Sequence, residues 1–279
     1  MLDAIDELTD TFVEISRQAL DWFGSALDVG ALDVENKATS GFDPVTDADR
    51  TLEAQFRAAI LARFPDHSIV GEEAGRQNGT VDVEWIIDPI DGTRAFVTGR
   101  PMWGSLVGVS VAGRPIAGWM HQPVLDVTHR GLTPHGTEGQ TTMRESGGEW
   151  RTIRTRDITD LADAVLLCTH PGMFAKREER WGFAAVEGAV QQSRYDGDCA
   201  NYGFLAAGFG DLVIEKGLQS YDIVPLIPII EGAGGVVTTV DGASPLDGGW
   251  IVAAANAALH AAALATLAAG RSDARSHRP

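Results

Sequence analysis

The sequence predicts an α/β protein built in layers, and three observations carry that reading. Apolar residues at Ile5, Leu8, Phe12, Ile15, Ala19, Leu20, Phe23 and Leu27 recur every three or four positions, the spacing of an amphipathic helix over 2–27. Trp85-Ile86-Ile87 is a short apolar run rich in aromatic and β-branched residues, as a buried strand requires. In the second half, strand-like and helix-like segments alternate, the pattern of helices packed on sheets.

Along the chain, residues 28–42 read as a polar connection containing Lys37. Asp43-Pro44-Val45-Thr46-Asp47-Ala48-Asp49 is a turn that starts a second helix, with Leu52, Phe56, Ala59, Ile60 and Phe64 on one face. The acids at its start suit the positive end of the helix dipole. Ser68-Ile69-Val70 is a short strand running into the acidic loop Gly71-Glu72-Glu73-Ala74-Gly75. The strand at Trp85 is expected to stop at Asp88, because Pro89 has no N–H to give to a ladder. Residues 106–111 and 115–120 form a hairpin joined by Ala112-Gly113-Arg114, and 126–150 read as further strand. A boundary near Glu149 divides an N-terminal α+β half, 1–149, from a C-terminal α/β half, 150–279.

In the second half, strands are expected at 164–168, 211–215, 236–240 and 250–253. Helices are expected at 175–190, 199–208, from Asp222 onward, and at 256–269. Asp222 reads as an N-cap with Pro225 in the first turn, Pro228 deep enough to bend the helix, and Gly232-Ala233-Gly234-Gly235 ending it. Arg271 to Pro279 reads as a frayed tail.

Composition narrows the function. With 39 acidic against 22 basic residues the net charge is −17, which repels polyphosphate backbones and argues against nucleic-acid binding. A small phosphorylated metabolite is still acceptable where cations offset the charge. Cys168 and Cys199 are too few for a disulfide framework, the N-terminus is acidic, and no apolar run approaches the ~18 residues that span a bilayer. The expectation is a cytoplasmic protein without membrane contact.

The chemistry gathers around Asp88 and Asp91. Two carboxylates suited to hard cations stand beside Gly92, which allows close backbone approach, and a helix opening at Thr93 whose N–H groups can hold an anion. That is equipment for metal-assisted phosphoryl transfer. Turn and cap roles are the ordinary alternative for each acid taken alone. The chain has no Gly-x-Ser-x-Gly elbow, no His-Glu-x-x-His and no complete Gly-x-Gly-x-x-Gly, which argues against serine hydrolase, zinc and dinucleotide chemistry.

The full string Asp88-Pro89-Ile90-Asp91-Gly92-Thr93 resembles the signature of the inositol monophosphatase-like, Mg-dependent phosphatases. Gly71-Glu72-Glu73, Val45-Thr46-Asp47-Ala48-Asp49, Tyr221-Asp222 and Glu231-Gly232-Ala233-Gly234-Gly235 resemble further blocks of that family, in the same order. The resemblance implies a layered αβαβα sandwich of the inositol monophosphatase and fructose-1,6-bisphosphatase type. It implies a first Mg²⁺ on Glu72, Asp88 and the Ile90 carbonyl, a second on Asp88, Asp91 and Asp222, and a weaker third leaning on Glu72. Gly92 and Thr93 would bind phosphate through their N–H groups. Glu72 and Thr93 would orient the attacking water, and Asp49 would accept a hydrogen bond from the Thr93 hydroxyl and so fix that orientation. A homodimer is also implied.

Within the family, Asp91-Gly92-Thr93-Arg94-Ala95-Phe96, Gly99-Arg100-Pro101-Met102-Trp103-Gly104 and Tyr195-Asp196-Gly197-Asp198-Cys199-Ala200 are most similar to the histidinol-phosphate phosphatase branch. By that resemblance Arg94, Asp198, Glu215 and Asp222 face the substrate, the two acids Asp198 and Glu215 suiting a leaving group that carries an ammonium and an imidazole. Inositol 1-phosphate and adenosine 3′,5′-bisphosphate stand as alternative substrates, and a non-catalytic regulatory protein as the alternative of another class.

Overall fold

The computed structural model describes residues 2–26, 34–36, 44–133 and 138–276. Leu27, most of the 28–42 connection with Lys37, Asp43 and the last three residues of the expected tail lie outside them.

Two helices stand where one was expected, α1 (Leu2–Arg17) and α2 (Ala19–Ala26). At the break the bonds tighten, Gln18 N donating to Ile15 O at 3.1 Å and Asp21 N to Gln18 O at 3.2 Å. Packing explains the turn. Phe12 on α1 meets Phe56, Trp85 and Trp119 edge-on, whereas Phe23 on α2 packs against Phe96 and Trp103, at 5.7 and 5.5 Å. Burying both rings outweighs helix continuity. A two-residue pair follows, β1 (Glu35–Asn36) with β2 (Pro44–Val45). Next comes α3 (Asp47–Arg63), capped by Thr46 and burying Leu52, Phe56 and Ile60 as expected.

The first sheet comprises β3 (Ser68–Gly71), β4 (Gly75–Gln77), β5 (Val83–Asp91), β6 (Gly104–Val111), β7 (Arg114–Gln122), β8 (Val127–Leu132), β9 (Gln140–Glu145) and β10 (Arg151–Ile153), in the order β10-β9-β8-β7-β6-β5-β3-β4. A short helix, α4 (Thr93–Val97), follows β5. The strand does not end at Asp88: it runs on to Asp91, and the register with β6 shifts between those two acids. Such a bulge accommodates a proline that cannot donate, so Pro89 bends the strand and does not stop it. Ala112 and Gly113, both at positive φ (50° and 73°), form the two-residue hairpin turn, and Arg114 belongs to the strand. β10 pairs with β9, so the first sheet continues past residue 149.

The second sheet has β11 (Val165–Leu167), β12 (Gln192–Arg194), β13 (Leu212–Leu218), β14 (Val236–Thr239) and β15 (Gly249–Ala254), ordered β12-β11-β13-β15-β14. Between them run α5 (Arg177–Glu187), α6 (Ala200–Ala206), α7 (Ser220–Ile223) and α8 (Ile227–Gly232), and α9 (Ala257–Ser276) closes the chain. β12 is a polar edge strand, Gln-Ser-Arg, with no apolar pattern to announce it. The helix expected from Asp222 is two helices. Gln219 is the cap of α7 and Asp222 stands at its third position, while Pro228 falls in the first turn of α8, where no N–H is needed. The expected tail is helical as far as Ser276, and Arg271 pairs with Asp241 at 3.1 Å.

These elements stack as an αβαβα sandwich: α1 and α3 on the first sheet, α6 to α8 between the sheets, and α5 and α9 outside the second. The middle layer sits close because Gly108, Gly118 and Gly131 are register partners across β6, β7 and β8. A Cβ at Gly118 would overlap the Pro225 carbonyl oxygen, one at Gly108 would press on the Pro225 backbone, and one at Gly131 would meet Pro228 and Ile229. Gly118→Ala is therefore expected to destabilise the protein by about 1–3 kcal/mol, the range of overpacked sites, as read by urea unfolding. A loss within error of zero would show that the α7–α8 backbone is not seated on this row.

Candidate active site

The bulged end of β5 delivers the first acids. Asp88 is 1% exposed, and its Oδ1 accepts the Ile90 N–H at 3.1 Å. Gly92, at φ 85°, lets the chain turn from strand into α4, and a Cβ there would lie 3.1 Å from Cβ of Asp198. Asp91 reaches the other half of the molecule, its Oδ1 accepting from Cys199 N at 2.9 Å. Asp222 arrives on α7, held by the Gln219 N–H at 2.7 Å. Asp88, Asp91 and Asp222 each bring a carboxylate oxygen within 4.8 Å of the others.

These acids line a cavity of about 700 Å³. Glu72, Ile90, Gly92, Thr93, Arg94, Asp198 and Glu215 line it as well, so every residue expected at the site except Asp49 reaches this one space. Asp49 is buried, its Oδ2 accepting the Thr46 N–H and hydroxyl at 2.8 and 2.6 Å, while Oδ1 has no partner. The expected bond from Thr93 to Asp49 is replaced: the Thr93 hydroxyl donates to the Ile90 carbonyl at 3.0 Å, the acceptor three residues back across the turn.

Asp198 and Glu215 differ sharply. Glu215 Oε1 accepts from Thr169 N (2.9 Å), Thr169 Oγ1 (2.6 Å) and Asn201 Nδ2 (3.0 Å), and Oε2 accepts from Tyr202 OH (3.1 Å). Its carboxylate organises this wall. Thr169 Oγ1 in turn accepts from Asp198 N at 2.9 Å. Among the described residues no hydrogen bond reaches the Asp198 carboxylate, which faces the cavity from a backbone at φ 43°. The sequence reading missed Thr169, just past β11, and Asn201 and Tyr202, in the first turn of α6, none of which belongs to a motif.

Electrostatics set the chemistry. Burial is the main force raising these carboxyls, with neighbouring acids adding to it: Asp49 to about 6, Asp222 to about 7 and Asp198 to about 8. Asp88 and Asp91 are raised well above the ordinary range by burial and then by the other acids. Two like charges about 4 Å apart repel by on the order of 4 kcal/mol at an effective dielectric of about 20. Only protons or a cation relieve such a group. All the donors are carboxylate or carbonyl oxygens, and burial pushes the Cys199 thiol well above its ordinary value, leaving no thiolate. The set therefore fits a hard cation such as Mg²⁺.

Residues 4–272 match the Inositol monophosphatase family. The chain belongs to the inositol monophosphatase family. Among relatives of this family member, the Bifunctional phosphatase IMPL2, chloroplastic, of Arabidopsis thaliana is 39% identical over 70% of this chain but only 54% of its own length. A Histidinol-phosphatase of Mycobacterium tuberculosis is 31% identical over 86% of this chain and 91% of that one. A Nus factor SuhB of Pasteurella multocida is also 31% identical, over 80% and 82%. A solved inositol monophosphatase from Zymomonas mobilis superposes with a TM-score of 0.77, is 29% identical, and covers 95% of this chain and 98% of that one. The family phosphatase fold and the acid cluster at its centre are thus in place.

The raised carboxyls have a measurable consequence. Unfolded, they ionise near 3.8; folded and without divalent cation, Asp222 and Asp198 hold their protons to about 7 and 8. The folded state then binds more protons than the unfolded one, so stability falls as pH rises through that interval. His121 and His129, pushed by burial from 6.5 down to about 4 and 3, act oppositely below 6.5. In EDTA the melting temperature should therefore fall between pH 6.5 and about 8, and Mg²⁺ should remove that slope by replacing the protons. Identical slopes in EDTA and Mg²⁺ would show that no cation enters the cluster.

Proposed function

We propose that the chain is a Mg²⁺-dependent phosphomonoesterase acting on histidinol phosphate. The observation that carries the substrate is Asp198, a half-enclosed carboxylate in the same cavity as the acid cluster whose oxygens accept no hydrogen bond among the described residues. An ammonium or imidazolium on the leaving group brings the positive charge that lets this carboxyl ionise; a polyol brings none. The similarity to a protein named Histidinol-phosphatase over most of both chains supports the same reading.

Glu72, Asp88, the Ile90 carbonyl, Asp91 and Asp222 would hold two Mg²⁺, with Glu72 also supporting a third; the bound ions supply charge neutralisation and Lewis acidity. The chain's own groups supply position. The Gly92 and Thr93 N–H groups and Arg94 hold the phosphoryl oxygens. Because the Thr93 hydroxyl donates to Ile90 O, its lone pairs are left to accept from the attacking water, which Glu72 would also orient. Asp49 fixes Thr46 and the start of α3 beneath them. Asp198 pairs with the cationic part of the substrate, and Glu215 keeps that wall rigid through Thr169, Asn201 and Tyr202. Catalysis is then placement plus preorganised charge.

Inositol 1-phosphate is the second substrate reading, favoured by the likeness to the Zymomonas inositol monophosphatase. The relative named as a Nus factor raises a regulatory reading, which Mg²⁺-dependent phosphate release would overturn. Asp88→Asn keeps the shape and removes a central charge. It should lower phosphate release by at least about 10²-fold, the scale of losing one preorganised stabilising group, while the fold persists. Wild-type turnover in that variant at saturating Mg²⁺ would reject this centre.

Substrate identity is read from Asp198→Asn. Losing a charge-assisted contact worth about 1.5–3 kcal/mol should cut kcat/KM for histidinol phosphate by about ten- to a hundredfold. Glycerol 2-phosphate, whose leaving group is neutral, should lose little. Equal losses on the two esters, or a wild-type preference for inositol 1-phosphate, would sink the histidinol assignment and leave the phosphatase intact.

A further inference from the structure

The loop that carries Glu72 is gripped from below by a pair of residues with no place in the chemistry. Glu53 lies on α3 one turn after Asp49, 1% exposed. Its Oε2 accepts from Glu73 N at 2.7 Å and its Oε1 from Ala74 N at 3.0 Å, so two successive amides of the β3–β4 turn close on one carboxylate. Arg57, a further turn along α3, donates through Nε to Glu53 Oε1 at 2.7 Å and through Nη2 to the Gly75 carbonyl. The side chains of this pair are only 11% and 2% exposed. Gly71 completes the fit: a Cβ there would overlap the Glu53 carboxylate.

We infer that Glu53 and Arg57 are positioning residues that hold Glu72 in its metal-binding pose, an inference that rests on reading Glu72 as a metal ligand. The geometry is that of an anion nest, consecutive N–H groups cradling a negative charge. Here the anion is the protein's own and the nest is the turn between Gly71 and Gly75. Glu72 N donates to Ile87 O at 3.2 Å on one side, and the Glu53 clamp starts at the next residue on the other. Both flanks of Glu72 are therefore tied, one to the strand that carries Asp88 and one to α3. Remove the clamp and Glu72 must be ordered by the ion itself, so apparent affinity falls by the fraction of time the loop spends in the competent pose.

The test compares wild type, Arg57→Met and Arg57→Lys as full-length proteins. Four quantities are measured: amide hydrogen exchange at Glu73 and Ala74, the Mg²⁺ concentration giving half-maximal phosphate release, the substrate KM at saturating Mg²⁺, and the Mg²⁺-induced rise in melting temperature. Arg57→Met should speed exchange at those two amides and raise the half-saturating Mg²⁺ by about tenfold, about 1.4 kcal/mol. The substrate KM at saturating Mg²⁺ should change far less. The Mg²⁺-induced thermal shift should shrink in parallel, and Arg57→Lys, which keeps a cation beside Glu53, should recover part of each. Faster exchange with unchanged Mg²⁺ half-saturation would show a loop clamp that does not position Glu72, and unchanged exchange would show that Arg57 does not hold the clamp; either overturns the inference. If the wild type releases phosphate without Mg²⁺, it is the assignment of Glu72 as a metal ligand that fails, and exchange at Glu73 and Ala74 still reports on the clamp alone.

Discussion

The seating of Pro225 on the glycine row of the first sheet is the contact from which the site follows. Gly108 and Gly118 are paired across β6 and β7, and without side chains they admit the backbone that leaves α7. Asp222 lies three residues before that proline. Lowering the chain onto the sheet therefore sets Asp222 against Asp88 and Asp91 at the bulged end of β5. A methyl group on that row would overlap the Pro225 backbone, three residues after that third carboxylate. The fold spends close backbone packing to bring together acids that repel one another.

That repulsion fits the cluster to a cation. Buried carboxylates far from a counter-charge are stable only when protonated or when an ion enters, and the two states differ in pH dependence. The neighbouring wall is built on the opposite principle. Glu215 is buried too, yet four donors satisfy it, so it behaves as a fixed acceptor that stiffens Thr169, Asn201 and Tyr202. Asp198 stands between these regimes, placed by its backbone, with no hydrogen bond to its carboxylate among the described residues.

The parts legible in the sequence are those in which residue type and spacing act together. Asp88 and Asp91 read correctly as neighbouring acids, and Gly92 and Thr93 as turn and helix start, because residue type and spacing agree there; Pro89 did not, since the bulge lets the strand run through it to Asp91. The layers were legible for the same reason, since amphipathic spacing records which face is buried. Features set by tertiary packing were not. Gln18 breaks a helix because Phe23 has a pocket beside Phe96 and Trp103, and nothing within 2–27 says so. Asp222 reads as a cap, and the structure gives that role to Gln219 because the helix is split to seat Pro225. The Thr93 hydroxyl finds the near Ile90 carbonyl in place of Asp49, a choice of distance that spacing does not encode.

The same contrast applies to α3. Asp49, Glu53 and Arg57 recur every four residues, which in sequence is an ordinary charged stripe with a helical ion pair, worth a few tenths of a kcal/mol on an exposed face. In the fold that stripe is turned inward against the Glu72 loop, and its weight changes with its surroundings. An ion pair held out of water and bonded to three backbone groups of a neighbouring turn no longer serves the helix that bears it. Removing one partner would strand the other without solvent, so the pair is kept for the geometry it enforces on the turn. α3 thus has two faces with separate duties: Leu52, Phe56 and Ile60 anchor it in the core, and its acids and arginine transmit that rigidity to the loop where charge is handled.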